Sequence, residues 1–198
     1  MKRILNLSLV LAVVLTTMGA YAGDVDFALY VKNESGQGKK VSFALNQVKK
    51  VTLSLYDSDE VLIHTENVSA KQNINRTYDL NQLPEGTYFL EAETELKVAR
   101  YEITVTGTKA ILSKKAISEV YKPVVVSKNG MVSVNIQNTY KSPVSMKIYD
   151  AQDNEVYNGN LSGTNVYKTF DMTNSVDSKY TFVMTYDNKT FIETVAAR

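Results

Sequence analysis

Histidines and carboxylates most often carry acid–base chemistry in enzymes, and the sequence contains one histidine, His64. His64 lies in an apolar segment of alternating pattern, residues 61–64, on the face opposite Ile63. A lone histidine cannot supply a histidine-based metal cluster, and no nucleophile signature accompanies it. The sequence therefore predicts a partly exposed strand position for His64, and it predicts no catalytic residue.

Three glutamates, Glu91, Glu93 and Glu95, occupy alternate positions of one segment. Alternate residues of a strand lie about 7 Å apart on the same face, a separation that suits the carboxylate pair of a glycoside hydrolase. Such pairs usually come from separate elements around a cleft, and burial raises the pKa of one partner. We expect these glutamates to form a solvent-exposed strand face, with a hydrolase as the minor alternative.

Two acidic turns, residues 57–60 and 150–155, occupy equivalent places in a repeated pattern. Their oxygens could coordinate calcium, although neither turn has the spacing of the twelve-residue calcium loop. Acidic residues also form hairpin turns without any ion. The sequence leaves calcium binding open, and we predict no metal site.

Cofactor chemistry has little support in the sequence. It contains no cysteine, which excludes thiol catalysis, disulfides and cysteine-ligated metal. Gly36 and Gly38 lack the spacing of a phosphate-binding loop. We therefore predict no cofactor.

Strands are the elements that must position these residues, because apolar and polar residues repeatedly alternate with period two and no segment keeps the apolar periodicity of a helix. Such strands bury one face and expose the other, as antiparallel sheets do. The first half of the chain contains seven predicted strands: 26–31, 40–45, 51–56, 61–66, 74–79, 87–94 and 97–106. Short strands at this spacing indicate an immunoglobulin-like β-sandwich.

The pattern occurs twice. A shift of 93 places Tyr56 on Tyr149, and a shift of 92 places Tyr88 on Tyr180 and Lys97 on Lys189. Apolar positions coincide through both segments with one residue of gap, which favours duplication over chance. The sequence therefore predicts an all-β chain of two tandem immunoglobulin-like antiparallel sandwiches after a signal peptide: residues 1–22 as signal peptide, 23–107 as the first domain and 108–198 as the second.

A structural corner is predicted before the most strongly alternating strand. Pro84 and Gly86 precede Tyr88, whose hydroxyl is expected to bond back to the preceding corner. Tyr180 would repeat this arrangement, although residues 176–178 replace the Pro-Glu-Gly sequence there.

These residues also carry a family resemblance. Tyr56-Asp57, Leu80 and the run from Leu83 to Leu90 resemble exported immunoglobulin-like modules of Bacteroidetes, and especially the C-terminal sorting domains of type IX secretion. The resemblance covers most of the first repeat and, more faintly, the second. It implies a sandwich fold and an exported, non-catalytic protein.

The N-terminal segment predicts export. Lys2 and Arg3 precede an apolar run, and the Ala-Tyr-Ala sequence ending at Ala22 suits signal peptidase, so we expect cleavage after Ala22. The remaining chain has 20 basic and 21 acidic residues. A nearly neutral chain has no electrostatic reason to bind nucleic acid or anionic lipid. After cleavage we expect no transmembrane helix.

The combined expectation is an exported structural or protein-interaction protein that is not an enzyme. Its location would be the periplasm, the outer surface or the extracellular space, and its partner would be another protein or a cell-surface component. The sequence leaves the ligand and the oligomeric state open. An alternative function is that the C-terminal domain acts as a secretion signal.

Overall fold

The computed structural model describes residues 29–31, 38–71 and 73–196, so the predicted signal peptide lies outside the described residues. Two antiparallel sheets form the first part of the chain, which we call the N-terminal unit. Its strands are β1 (Leu29–Val31), β2 (Lys40–Asn46), β3 (Lys50–Tyr56), β4 (Leu62–Ser69), β5 (Asn73–Asp79), β6 (Gly86–Glu93), β7 (Lys97–Thr106), β8 (Lys109–Leu112) and β9 (Ser118–Tyr121).

The sheets of the N-terminal unit have the orders β1-β2-β5 and β4-β3-β6-β7-β8, and β9 also pairs with β7. Alternate residues point inwards, as in β3, where Val51, Leu53 and Leu55 are buried and the residues between them are partly exposed. Phe43 and Leu90 are fully buried in the same hydrophobic cluster. The alternating pattern of the sequence therefore marks the face of each strand that forms the core.

The second part of the chain, which we call the C-terminal unit, has its own hydrophobic cluster around Val134, Met146 and Phe182. Its sheets have the orders β10-β11-β14 and β13-β12-β15-β16. Its strands are β10 (Val124–Lys128), β11 (Met131–Gln137), β12 (Val144–Tyr149), β13 (Glu155–Leu161), β14 (Asn165–Asp171), β15 (Lys179–Tyr186) and β16 (Lys189–Ala196). Antiparallel pairing throughout the described residues confirms the all-β fold class.

The two units share their strand register. Lys40 lies opposite Asp79 in the N-terminal unit, and Met131 lies opposite Asp171 in the C-terminal unit. Opposite the last two residues of β3 and of β12, the partner strands β4 and β13 each carry a bulge, with Ile63 and Val156 as the extra residues. The shifts of 92 and 93 that relate the two sequences therefore also relate the bulges and the hydrogen-bonded pairs of β3 and β12.

Gly107 forms the turn of the β7–β8 hairpin with a φ of 55°. The two strands that follow this turn both pair with β7. After that turn, β8 pairs with residues 103–106 of β7, and β9 pairs with residues 97–100. The division of the chain at residues 107 and 108 stays a prediction, whereas this pairing favours a boundary after Tyr121.

The corner before β6 has a defined geometry. The Tyr88 hydroxyl donates a hydrogen bond to the Pro84 carbonyl oxygen at 3.0 Å. Gly86 between them has a φ of 155°, a conformation that side-chain-bearing residues rarely adopt. Tyr180 is also buried, but among the described residues no such bond from its hydroxyl is present.

We predict that Tyr88→Phe lowers the free energy of unfolding by about 1 kcal/mol, because it leaves the Pro84 carbonyl without this donor. Urea unfolding at neutral pH measures the change. Tyr180→Phe is the matched control and should change the free energy of unfolding by less than half as much. Equal losses in the two variants would contradict a special role for the first corner.

Candidate functional site

A cleft of about 740 Å³ lies where the two units meet, and we call it the junction cleft. The outer face of β6 and β7 forms one wall, and the β15–β16 hairpin forms the other. It is lined by Glu60, Phe89, Glu91, Val98, Arg100, Ile117, Ser118, Val120, Tyr140, Asp187, Asn188 and Lys189.

The carboxylate of Glu91 is at the centre of this site, with only 5% of the residue exposed. Arg100 is its cross-strand neighbour on β7 and donates from Nη1 to Oε1 at 3.0 Å. Lys189 of the C-terminal unit donates from Nζ to both carboxylate oxygens, at 2.7 and 2.8 Å. The expectation that Glu91 is solvent-exposed is therefore wrong, because the C-terminal unit covers it and supplies a second cation.

The hairpin that brings Lys189 to Glu91 is a tight turn. Asp187 and Asn188 have φ values of 49° and 58°, which Asp and Asn tolerate better than other side-chain-bearing residues. They connect β15 directly to β16, so Lys189 is the first residue of its strand. This turn thus places a cation against the neighbouring unit.

Arg100 binds a second carboxylate as well. Its Nη1 and Nη2 donate to the two oxygens of Glu60 at 2.8 and 2.6 Å, and its guanidinium lies 4.0 Å from the centroid of the Phe89 ring. The hydrogen bond from Arg100 lowers the pKa of Glu60, which burial opposes. Both carboxylates are thus bound to the same guanidinium, an arrangement suited to ion pairing.

A second group of contacts joins the units through β9. Lys97 is 2% exposed and donates to Glu119 at 2.6 Å. The Tyr186 hydroxyl of the C-terminal unit donates to the Tyr121 carbonyl oxygen at 2.5 Å. Val120 packs in the C-terminal core although its strand pairs with β7. The connection between the units is therefore a strand that takes part in both.

The structure does not bring His64 to the junction cleft. His64 is exposed on β4, where its ring lies edge-on to Tyr78 with 5.9 Å between the centroids. Glu93 and Glu95 are also exposed, as predicted. His64, Glu93 and Glu95 are absent from the lining of the cleft that contains Glu91. The structure therefore does not bring them together with Glu91 as an acid–base pair.

The two acidic turns use their first carboxylate in the same way. Asp57 Oδ1 accepts from the backbone nitrogens of Asp59 and Val61, both at 2.9 Å. Asp150 Oδ1 accepts from the equivalent nitrogens two and four residues later, at 2.9 and 2.8 Å. These bonds are those of turn-forming aspartates. Within residues 29–31, 38–71 and 73–196, no group of three or more possible metal ligands occurs.

Sequence reasoning missed the roles of Arg100, Glu119 and Lys189 at the junction. The one available signal was the alignment of Lys97 with Lys189, two lysines at equivalent strand starts that both bind a glutamate near the junction. Without a fold, however, nothing in the sequence indicates which glutamate each lysine meets.

Comparison with protein families gives one match. Residues 37–116 match the family described as "Secretion system C-terminal sorting domain". The match confirms the resemblance predicted from the sequence and covers β2 to β8 of the N-terminal unit. It indicates an exported protein. No curated protein matches the chain by sequence.

Solved structures give weaker likenesses. The chain is similar to a biofilm-associated protein BSP domain, with 14% identity, a TM-score of 0.29, and coverage of 81% of this chain and 27% of that one. The chain is also similar to Tp47, the 47-kilodalton lipoprotein of Treponema pallidum, with 9% identity, a TM-score of 0.25, and coverage of 89% of this chain and 52% of that one. For the chicken CNTN1 FN1–FN3 domains the identity is 9% and the TM-score 0.26, and the alignment covers 87% of this chain and 66% of that one. This chain thus spans from about a quarter to just under two thirds of these proteins.

The described residues include no helix that is long and apolar enough to cross a membrane.

We predict that Glu91→Gln lowers the free energy of unfolding by about 2 to 4 kcal/mol, because Lys189 loses its carboxylate partner and Arg100 loses one of its two at a buried site. Denaturant unfolding measures the loss. Glu93→Gln is the control, since Glu93 pairs with Lys122 at the surface, and it should cost less than about 1 kcal/mol. A hydrolytic activity that disappears in Glu91→Gln without loss of stability would instead support the enzyme alternative.

The lowered pKa of Glu60 predicts a pH-dependent contribution to stability. The pair with Arg100 stabilises fully above the ordinary glutamate pKa of 4.5, and this contribution is lost as pH falls through the lower folded-state pKa. Glu60→Gln should cost less than about 1 kcal/mol at pH 7, because the Glu60 side chain is largely exposed and water screens the pair. Unfolding curves of wild type and variant should converge as the pH falls well below 4.5; a constant difference down to the lowest pH would contradict the assignment.

Proposed function

We propose that this chain is an exported, non-catalytic protein that works by binding another protein or a cell-surface component, in the periplasm or at the cell surface. The observation that carries the proposal is the match of residues 37–116 to a sorting-domain family. That match places the chain among exported proteins and names no reaction.

The junction supports the same proposal. Glu91 is bound to Arg100 of the N-terminal unit and to Lys189 of the C-terminal unit, so this carboxylate joins the two units. The pairs of Glu60 with Arg100 and of Glu119 with Lys97 lie within the N-terminal unit. The contact of Lys189 with Glu91 supports a defined arrangement of the two units, which suits a binding protein that presents its surfaces in a constant geometry.

Sorting is the second candidate function. The family match supports it only loosely, because the matched residues 37–116 lie in the N-terminal unit and not in the C-terminal domain that the sequence analysis names as the secretion signal. In that case the N-terminal unit, the C-terminal unit or both would be recognised by the secretion machinery as a folded address. The two candidates differ in where the protein finally resides and in whether it is cut during export.

We predict that the protein recovered from its native host is one species beginning at Gly23 and retaining Arg198. Intact mass measured separately on the periplasm, the outer membrane and the medium tests this. A single species would support the binding protein, and the fraction that contains it would show where to seek its partner. A surface or medium species cut between Gly107 and Glu119 would contradict it and favour sorting.

A reporter fusion separates the two candidates further. A periplasm-directed reporter is joined to the N-terminus of the complete chain from Gly23 and expressed in the host with and without a working secretion system. Retention of the reporter in the periplasm of both strains favours binding alone. Its appearance at the surface only in the secretion-competent strain favours sorting.

A further inference from the structure

The junction cleft contains more than the ion pairs that join the two units. Its volume of about 740 Å³ lies in the range of pockets that hold ligands. Two of its lining residues, Ile117 and Tyr140, are large apolar side chains that are 49% and 52% exposed. Phe89, Val98 and Val120 extend the same apolar lining. The two units therefore leave part of an apolar surface uncovered inside the cleft.

Tyr140 is held in place by the loop that carries it. Asn138 is fully buried, and its Nδ2 donates to the carbonyl oxygens of Ser142 and Gly163 at 2.7 and 2.9 Å. Its Oδ1 accepts from the Ser142 backbone nitrogen at 3.1 Å. The Tyr140 hydroxyl accepts from the Glu119 backbone nitrogen at 3.1 Å, which connects this loop to β9. A ring fixed in this way loses little entropy when a ligand packs against it.

The lining of the cleft has an excess of negative charge. It contains three carboxylates and two cationic side chains. The two cations are Arg100 and Lys189, and both are already bound to Glu60 or Glu91. The third carboxylate, that of Asp187, is therefore left to attract a cation from outside the chain.

Asp187 is partly buried at the turn of the β15–β16 hairpin. Its Oδ1 accepts a hydrogen bond from the Ser142 hydroxyl, and among the described residues no lysine or arginine pairs with it. A carboxylate can accept about four hydrogen bonds, so Asp187 can bind a further donor. A cation bound at a partly buried carboxylate is screened less by salt than one at a fully exposed carboxylate.

We propose that the junction cleft binds a lysine or arginine side chain of a protein partner. The charged end lies at Asp187, and the alkyl stem packs on Tyr140 and Ile117. Long basic side chains combine an apolar stem with a charged end, and a cation also gains from contact with an aromatic ring. Nucleic acid and anionic lipid would be repelled by the excess negative charge. The inference rests on the proposed binding function and names the chemistry of the partner.

The test uses butylguanidinium, which has the stem and the charged end of an arginine side chain, as the probe. It is titrated into the complete chain from Gly23, labelled with ¹⁵N. The backbone amides of residues 117–120 and 186–189 should shift together, with a dissociation constant in the roughly millimolar range expected for so small a ligand. Pentanamide, a neutral molecule of similar size, should bind about threefold to tenfold more weakly. Added salt should weaken the binding of butylguanidinium alone.

A pair of matched variants tests the role of Asp187. Asp187→Asn removes the charge and keeps a residue type that tolerates the φ of 49° at this turn. It should weaken butylguanidinium binding about threefold to tenfold and leave pentanamide binding unchanged. Asp153→Asn is the control, because Asp153 lies in an exposed turn of the same unit, outside the cleft, with a φ of 62°. It should bind both probes like wild type.

Ile117→Ser tests the apolar part of the site. It should weaken both probes about twofold to fivefold, because it removes apolar contact area without changing the charge. Circular dichroism on each variant checks that the β-sheet fold is kept.

A peptide probe distinguishes a protein partner from a free amine. A five-residue peptide with a central arginine between leucines, blocked at both ends, should bind at least about threefold more tightly than butylguanidinium, because its flanking residues contact the rest of the cleft. Equal or weaker binding of the peptide would assign the cleft to a small free amine and contradict the protein partner.

Three results would overturn the proposal. They are the absence of shifts at the amides that line the cleft, pentanamide binding as tightly as butylguanidinium, and equal effects of Asp187→Asn and Asp153→Asn. If they occur in a protein recovered as one species from Gly23 to Arg198, the proposed function stands and the basic partner does not. A species cut between Gly107 and Glu119 would contradict the proposed function whatever the probes show.

Discussion

Burial of the Glu91 carboxylate requires that two cations accompany it, because an unpaired charge removed from water costs several kcal/mol. Arg100 comes from the neighbouring strand and is present whenever the N-terminal sheet forms. Lys189 comes from the C-terminal unit and reaches the carboxylate only when the two units are in one particular arrangement. The electrostatic requirement of one side chain thus constrains how the two units are placed.

The connecting segment enforces the same arrangement. It pairs with β7 as strand β9, places Val120 in the C-terminal core and offers the Tyr121 carbonyl oxygen to Tyr186. These three contacts could not all form if the connecting segment were a flexible linker between independent units. Since little conformational freedom is left at the junction, a partner that contacts both units loses little entropy by fixing them.

Most of the fold could be predicted from the sequence, because alternation reports which face of a strand is buried by its own sandwich. The predicted strands 40–45, 51–56, 74–79 and 97–106 agree with β2, β3, β5 and β7 to within one residue at either end. The same alternation gave the wrong exposure for Glu91, because the residues that bury it belong to the other unit. It also missed the pairing of β8 and β9 with β7, since nothing in a short apolar segment specifies which edge it will join.

The two units share one strand arrangement, but the outer faces of their larger sheets carry different residues. This difference limits how the units can associate. The C-terminal positions equivalent to Glu91, Arg100 and Phe89 hold Val183, Ile192 and Thr181. The corresponding face carries pairs of threonine hydroxyls, as between strands β15 and β16, where Thr185 and Thr190 lie 3.0 Å apart. A lysine arriving at Val183, as Lys189 arrives at Glu91, would find no carboxylate at that position. The junction can therefore form once in the chain and cannot propagate through its second unit by the same contacts, even though the strand register is the same in both.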